Sequence, residues 1–402
     1  MRPTVSNEAL TKRIKRHVIG RPHTFFAVTA PGLERLCLRE LATIPGTVAQ
    51  AAAVPGGVEF EGRLTDLYGA SLDLRTPTRI LMRLAAFKAT NFRQLEKQLG
   101  RLPWELYLPP DVSLKISVKT AHSRLYHTEA IARHLEQAVV TRLADIFGSR
   151  SGGNSTKNMQ TVHARVLDDN FLVSLDSSGL PLYKRGLKTD VGKAPLRETL
   201  AAAVLTWAGY RGRGTLLDPM CGSGTFSLEA ALMSNRTPPG WYRSFAFMHW
   251  PAFKSGQWQY LKKERSQRIR PPERAPEQAK VFAADIDPDM CKALAAVVRQ
   301  HDLAEIVSVD RADFFGLMPK AISPQPGTVA LNPPYGLRLG PSRETDDLYG
   351  DIAGKLKKDF KRWRLAIILP DKRLAALFPS HLRPRSIPHG GLSLTLLTGT
   401  IV

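Results

Sequence analysis

Apolar and polar positions along this chain follow two periods, and the switches between them mark its elements. From Thr24 the run FFAVTA reads as a strand, a Pro-Gly turn follows, LERLCLREL repeats its apolar positions at helical spacing, and GGVEFEG alternates as a half-buried strand. Helical spacing returns in LTDLYGASLDL and FRQLEKQL, on either side of the strand-like RILMRLAAFKA. SLKISVKT then alternates, EAIARHLEQAVVTRLADIF is amphipathic, and VHARVLDD with FLVSLDSSG reads as a hairpin. Strands separated by helices, in units too short for one large sheet, predict one or two small α+β modules.

A polar stretch, Leu182-Tyr183-Lys184-Arg185-Gly186 and on through KTDVGK, closes that region, and the boundary falls near Lys188. Beyond it helices and apolar strands alternate: APLRETLAAAVLTWAGY, TLLDP, SGTFSLEAALM, KVFAADI, PDMCKALAAVVRQH, EIVSVDRAD, TVALNPP, LYGDIAGKLKKDF and RLAIILP. This order predicts an α/β domain over 189–402, a mostly parallel sheet covered on both faces with its ligands at the carboxyl ends of the strands. Residues 236–280 interrupt the alternation with Trp241, Trp250 and Trp258 among prolines and the basic run KKERSQRIR. Two readings of this insertion stay open, a surface excursion packed by its tryptophans and a source of cationic and stacking contacts to RNA. Residues 1–23, with Lys12, Arg13, Lys15, Arg16 and Arg21, read as a basic tail, with a nucleic-acid arm as the alternative.

Composition narrows the partners. The 402 residues carry 57 Lys+Arg against 36 Asp+Glu, a formal net charge of +21, with 43% hydrophobic content. Such a chain is not disordered as a whole, and its excess charge suits a polyanion, because a basic surface gains affinity by displacing counterions from phosphates. An acidic membrane face is the other polyanion. No run reaches the ~18–20 apolar residues of a membrane span, and the basic start has no apolar stretch behind it, so a soluble cytoplasmic protein is expected. Cys37, Cys221 and Cys291 lie far apart without metal-ligand spacing, so no metal site is expected.

The chemistry concentrates in four strand-end segments. In LLDPMCGSGT, Gly222, Ser223, Gly224 and Thr225 sit where a strand turns into a helix; glycines let a ligand approach the backbone, and a helix start offers unpaired N–H groups. Ser227 stands where a dinucleotide fold wants a third glycine, which weakens a nicotinamide cofactor. Asp285-Ile286-Asp287 ends the next strand; an ionised Asp285 could accept both hydroxyls of a ribose, with Asp287 as support or simply as a helix cap. Asp313-Phe314 ends the third, a carboxylate for an adenine amino group beside an aromatic cover. Asn332-Pro333-Pro334-Tyr335 follows the buried-looking TVAL. An Asn oxygen and a neighbouring backbone carbonyl can accept both hydrogens of an exocyclic amino group, Pro333 has no competing N–H, and Tyr335 can stack on a flipped base. Candidate phosphate contacts are Lys119, Arg124, Lys184, Arg185 and, in the basic run, Lys262, Lys263 and Arg265.

Taken together, LLDPMCGSGT, VFAADIDPD, RADFF and LNPPYGLRLG resemble S-adenosylmethionine-dependent class I methyltransferases of amino groups. From Phe25 onward the chain resembles more narrowly the THUMP-containing guanine-N2 RNA methyltransferases, especially those of bacterial 23S ribosomal RNA: FFAVTAPGLERLCLREL, SLDSSGLPLYKRGLK, FAFMHWPAFKSGQW and LYGDIAGKLKKDFKRW carry that likeness. The resemblance implies a ferredoxin-like segment (24–70, sharing later strands), a THUMP RNA-binding region (71–188) and a Rossmann-like seven-stranded methyltransferase domain. It implies that Asp218, Gly222 and Gly224 line the methionine part of the cofactor, that Asp285 holds its ribose and Asp313 its adenine, and that Pro195 and Arg197 form an extra cofactor segment. Asn332, Pro333, Pro334 and Tyr335 would make the target-amino site. His389 stands where family members often have Asn before Gly, and a single catalytic domain is expected. The implied partner is RNA, large-subunit rRNA or its precursor particle, with no membrane and no obligate protein partner. Transfer-RNA guanine, DNA adenine, a protein glutamine and a non-catalytic assembly role remain as alternatives.

Overall fold

The computed structural model describes residues 6–45, 50–148, 159–188, 196–269, 280–334, 342–389 and 392–402. In the front half, strands β1 (His23–Val28), β2 (Gln50–Val54), β3 (Gly57–Gly62), β4 (Arg79–Lys88), β5 (Ser113–Ala121), β6 (Met159–Leu167) and β7 (Asn170–Asp176) form one sheet in the order β2-β3-β1-β4-β7-β6-β5. Only β5 and β6 run parallel. A single large sheet was not expected from such short units, and β4 is the reason it exists. Its Arg79–Met82 pair with β1 and its Leu81–Lys88 with β7, across a bulge between Arg83 and Ala85, so one long strand serves both modules.

The expected basic tail is instead docked. Residues Asn7–Ile14 form an α-helix, capped when the Ser6 side chain accepts the Ala9 N–H, and Lys15–Ile19 continue it as a π-helical turn. Ile14 and Val18 are buried in the front core, and Arg13 donates to Glu105, a fully buried carboxylate that also receives Arg142.

The second half carries β8 (Leu216–Asp218), β9 (Val281–Asp285), β10 (Val307–Arg311), β11 (Thr328–Leu331), β12 (Arg364–Leu369), β13 (Arg383–His389) and β14 (Leu392–Thr400), ordered β10-β9-β8-β11-β12-β14-β13. The first five neighbours are parallel, and β14 runs antiparallel to β12 and β13. All four residues of β11 are buried, as a strand covered on both faces requires. Helices Glu198–Trp207, Thr225–Ser234 and Pro288–Gln300 pack on one face through Leu200, Phe226 and Leu294, and helix Ser342–Asp359 packs on the other through Tyr349 and Ile352. The chain builds outward through β8, β9 and β10, then returns to place β11 on the other side of β8. That reversal opens a crevice beyond the carboxyl ends of β8 and β11.

The insertion belongs to neither sheet's surface. Phe245, Phe247 and Trp250 are buried with the front core; Phe247 stacks on Tyr68 with ring centroids 4.7 Å apart, and Trp250 Nε1 donates to Gln160 Oε1 at 2.8 Å. It clamps the catalytic half to the front half. A buried ion-pair knot completes the seam: Glu229, on helix Thr225–Ser234, receives Arg75 Nη1 at 2.7 Å and Arg185 Nε at 3.3 Å, and Arg185 Nη2 donates to the Arg75 carbonyl at 2.6 Å. Arg265 is likewise buried and pairs with Asp73 at 2.8 Å. The readings of Arg185 and Arg265 as RNA contacts are therefore corrected, since both guanidiniums are enclosed and neutralised inside the protein.

Candidate active site

The crevice between β8 and β11 is a cleft of about 660 Å³. Its walls gather the strand-end segments: Asp218 and Cys221 to Ser223 after β8, Asp285 to Asp287 after β9, Asp313 to Phe315 after β10, and Asn332 with Pro334 after β11.

The turn after β8 is held by backbone chemistry. Gly222 and Gly224 have φ of 49° and 72°, a left-handed conformation that side chains resist, and a Cβ on Gly224 would collide with Leu294 Cδ1. Asp285 anchors that turn to β9: its Oδ2 accepts the Gly222 N–H at 2.8 Å and its Oδ1 the Asp287 N–H at 3.0 Å. Two further acceptor positions remain on the carboxylate, enough for two hydroxyls. Asp287 accepts from Asp289 and Met290 N–H, so it caps helix Pro288–Gln300 while also facing the cleft. Asp313 Oδ1 accepts the Phe315 N–H at 3.1 Å.

Asp218 is buried, and its Oδ2 accepts both the N–H and the hydroxyl of Ser227, at 3.1 and 2.7 Å. Burial pushes its carboxyl up to about 7, against the opposing pull of Ser227; neighbouring Asp285 adds to the rise and Lys188 opposes it. Burial also pushes the Cys221 thiol well up, which fits a packing residue rather than a nucleophile.

The sharpest feature is Asn332. Its Oδ1 is buried and accepts no hydrogen bond from the described residues, although the cleft lies beside it. A buried acceptor without a donor costs roughly 1–3 kcal/mol, so its retention at the mouth of β11 calls for an incoming donor.

Several expected residues sit elsewhere. Pro195 and Tyr335 lie outside the described residues. Leu196, not Arg197, lines the cleft, while the Arg197 guanidinium lies 5.2 Å over the Tyr183 ring. Phe314 lines the cleft only with its edge of the core, since it is 1% exposed and stacked on Phe360; Phe315, 38% exposed and unforeseen, is the aromatic open to a ligand. Lys188 was also missed. Its Nζ donates to Thr225 Oγ1 at 2.8 Å and Ser223 Oγ at 3.2 Å and lies 3.5 Å from Glu198, so it braces the start of helix Thr225–Ser234. Burial pushes its ammonium below the usual lysine value, against Glu198, Asp218 and Glu229. Of the basic candidates, Lys119, Arg124, Lys184 and Lys263 are exposed, and Lys262 is half-buried with its Nζ 4.3 Å over the Trp241 ring.

Family comparison decides what this cleft belongs to. The RMKL-like methyltransferase domain matches residues 185–388, the RlmL ferredoxin-like domain 24–81 and the THUMP domain 89–176. The chain is an RMKL-like methyltransferase. A Synechocystis sp. protein, named provisionally as an RNA methyltransferase, is 32% identical over 93% of this chain and 95% of its own length. Ribosomal RNA large subunit methyltransferases K/L of Psychromonas ingrahamii and Cellvibrio japonicus are 31% and 32% identical over 87% and 88% of this chain. The chain spans 46% and 47% of those two proteins, about half their length. A structure solved with SAH and named provisionally as a methyltransferase shares the fold at TM-score 0.82 and 24% identity, over 94% of this chain and 98% of that one. A Listeria monocytogenes structure, named provisionally as an N6-adenine-specific DNA methylase, aligns at TM-score 0.81 and 25% identity, over 94% of this chain and 96% of that one.

The cofactor of this RMKL-like methyltransferase is S-adenosylmethionine, and the residues present fit it. Asp285 keeps free acceptor capacity at the end of β9, Phe315 and Ile286 give an apolar wall, and a carboxylate stands at the end of each of β8, β9 and β10. No group of three or more metal-ligating side chains occurs among the described residues. Nor does any described helix have the length and apolarity to cross a membrane.

Proposed function

We propose that this protein methylates the exocyclic N2 amino group of a guanosine in large-subunit ribosomal RNA, acting in the cytoplasm on the RNA or its precursor particle. The observation that carries the reading is the Asn332 Oδ1, buried without a hydrogen-bond partner among the described residues and facing the cofactor cleft. An amino N–H donated to that oxygen, with the second donated to the Pro333 carbonyl, turns the nitrogen lone pair out of conjugation and toward the cleft. S-adenosylmethionine supplies an electrophilic methyl group on a sulfonium sulfur. Asp285 would accept the ribose hydroxyls and Asp313 the adenine amino group, with Phe315 against the ring. Arg197 and Pro195 stay outside this assignment, the first because it lies on Tyr183. Proton loss from the alkylated nitrogen is easy, so no buried strong base is required.

RNA as the polymer rests on the net charge of +21, on the ferredoxin-like and THUMP modules, and on relatives named for ribosomal RNA. Lys119, Arg124, Lys184 and Lys263 are the exposed candidates for its phosphates, and Tyr335 for stacking on the target base. A second reading, adenine N6 of DNA, draws on the name of the Listeria structure.

Nucleoside mass spectrometry of ribosomal and transfer RNA, from cells lacking the gene and cells with it restored, tests the proposal. Loss and recovery of N2-methylguanosine in large-subunit RNA is the expected result. A transfer-RNA change alone would shift the substrate, and no change in either RNA would overturn the reading. In vitro, label transferred to RNA should resist DNase and protease, and Asn332→Ala should cut it by about 100-fold or more.

A further inference from the structure

A second concave site lies at the opposite end of the catalytic sheet. It is a pocket of about 450 Å³ bordered by Arg211, Arg213, Arg236 and Arg364, with no carboxylate in its lining. None of the four forms an ion pair with a described acidic residue, whereas the seam arginines Arg75, Arg185 and Arg265 all do.

The loop that presents this charge is built, not frayed. In Gly209-Tyr210-Arg211-Gly212-Arg213-Gly214 all three glycines are left-handed, with φ of 81°, 70° and 74°. A Cβ on Gly212 would collide with the Met233 carbonyl, so the loop lies tight on the end of helix Thr225–Ser234. Tyr210 is buried with its hydroxyl 2.9 Å from Ser234 Oγ, and Arg364 Nη1 fixes the Gly209 carbonyl at 2.9 Å. Arg236, with a φ of 58°, is the left-handed residue that closes helix Thr225–Ser234: its N–H bonds to the Met233 carbonyl and the Thr237 N–H to the Leu232 carbonyl, so the helix end fixes where its side chain starts.

We infer that this arginine pocket binds a backbone phosphate of the RNA substrate, outside the target nucleotide; the inference rests on the proposed RNA reading. Four guanidiniums without an ion pair among the described residues surround one concavity; Arg211 and Arg364 each hold a backbone carbonyl through Nη1, and Arg is the side chain suited to forked contacts with a phosphodiester's oxygens. Arg364 pairs in register with Thr328, four residues before Asn332, so its backbone stands about 13 Å back along the strands from that of Asn332, at the other end of the sheet. One RNA strand or stem can span both. Past the pocket, Arg211 also borders a concavity with Arg39 and Arg385, where Glu40 adds one carboxylate; Arg385 lies 5.1 Å over the Trp207 ring.

The test compares wild type with Arg213→Gln/Arg236→Gln, both exposed, and with Lys292→Gln/Arg299→Gln, which removes equal charge from the exposed face of another helix. The acceptor is large-subunit rRNA purified from cells lacking the gene. For the pocket variant, KM for RNA should rise about tenfold with kcat unchanged, and the dependence of log kcat/KM on log salt should flatten by about one unit, the signature of one lost phosphate contact. Calorimetric S-adenosylmethionine affinity should stay at the wild-type value, and the control pair should match wild type throughout. Equal KM and salt slope in pocket variant and wild type would overturn the inference, as would an equal loss in the control pair. Inorganic phosphate raising the Tm of wild type but not of the pocket variant, with RNA kinetics unchanged, would make the pocket a small-anion site and equally overturn it. Failure of wild type to methylate the rRNA at all would instead sink the functional reading.

Discussion

The interdomain seam and the cofactor cleft both bury polar groups, and they treat them in opposite ways. At the seam Glu229 is enclosed with both oxygens matched to arginines, and the Arg185 guanidinium finds two carbonyls besides. In the cleft Asn332 Oδ1 has no donor among the described residues, and the Asp218 carboxyl is pushed up by burial. At the seam the matched charges hold the two halves together, whereas Asn332, alone among the buried acceptors without a described partner, faces the cleft where a ligand would bind.

The largest effect should come from breaking the satisfied region. Glu229→Ala strands two arginines at the seam, and chemical denaturation should report a loss of about 3–5 kcal/mol; a loss under about 1 kcal/mol would show that the knot is not structural. Asn332→Ala is the converse. Methyl transfer should fall by about 100-fold or more, as when one preorganised polar partner is removed, while Tm holds or rises because an unsatisfied acceptor has gone. A joint fall of Tm and activity would erase the contrast.

Asp218 sharpens it through pH. Burial raises its folded value to about 7, above the ordinary aspartate value of 3.8, so the folded state holds more protons than the unfolded state between those values. The associated stability is full below the lower value and is lost as pH rises through about 7, an effect of order 2–4 kcal/mol. Denaturation midpoints from pH 5 to 8 should therefore decline more steeply for wild type than for Asp218→Asn; parallel profiles would refute the buried-acid account. The smallest effect is expected at Lys188. Lys188→Met should weaken S-adenosylmethionine binding by about three- to tenfold through loss of the Ser223 and Thr225 hydrogen bonds, roughly one bond's worth. RNA affinity measured alongside should not move, and an equal loss in both would mean the lysine braces the fold generally.

Much of the catalytic half was legible because its signals are local. Strand, turn and helix are each encoded within a few residues, and the acids that matter sit at strand ends, so Asp218, Asp285, Asp313 and Asn332 converge once the strands align in parallel. What was illegible depends on distant partners. Arg185 and Arg265 looked like free charges because Glu229 and Asp73 lie far away in sequence. The tryptophans of the insertion announced burial but not that Trp250 would reach Gln160 in the front half. The basic start read as a tail because nothing in its charge reveals Glu105, and the continuous front sheet depended on β4 pairing along both edges.

Helix Thr225–Ser234 meets three different neighbours within three turns. Its first turn holds Thr225 for Lys188 and Ser227 for Asp218, its middle carries Glu229 for the seam, and its end supports the arginine loop through Met233 and Ser234. Each added residue would rotate everything beyond it by about 100° and advance it by about 1.5 Å. Side chains here can therefore vary more freely than their number: one inserted or deleted residue would put the cofactor turn, the seam and the arginine loop out of phase together.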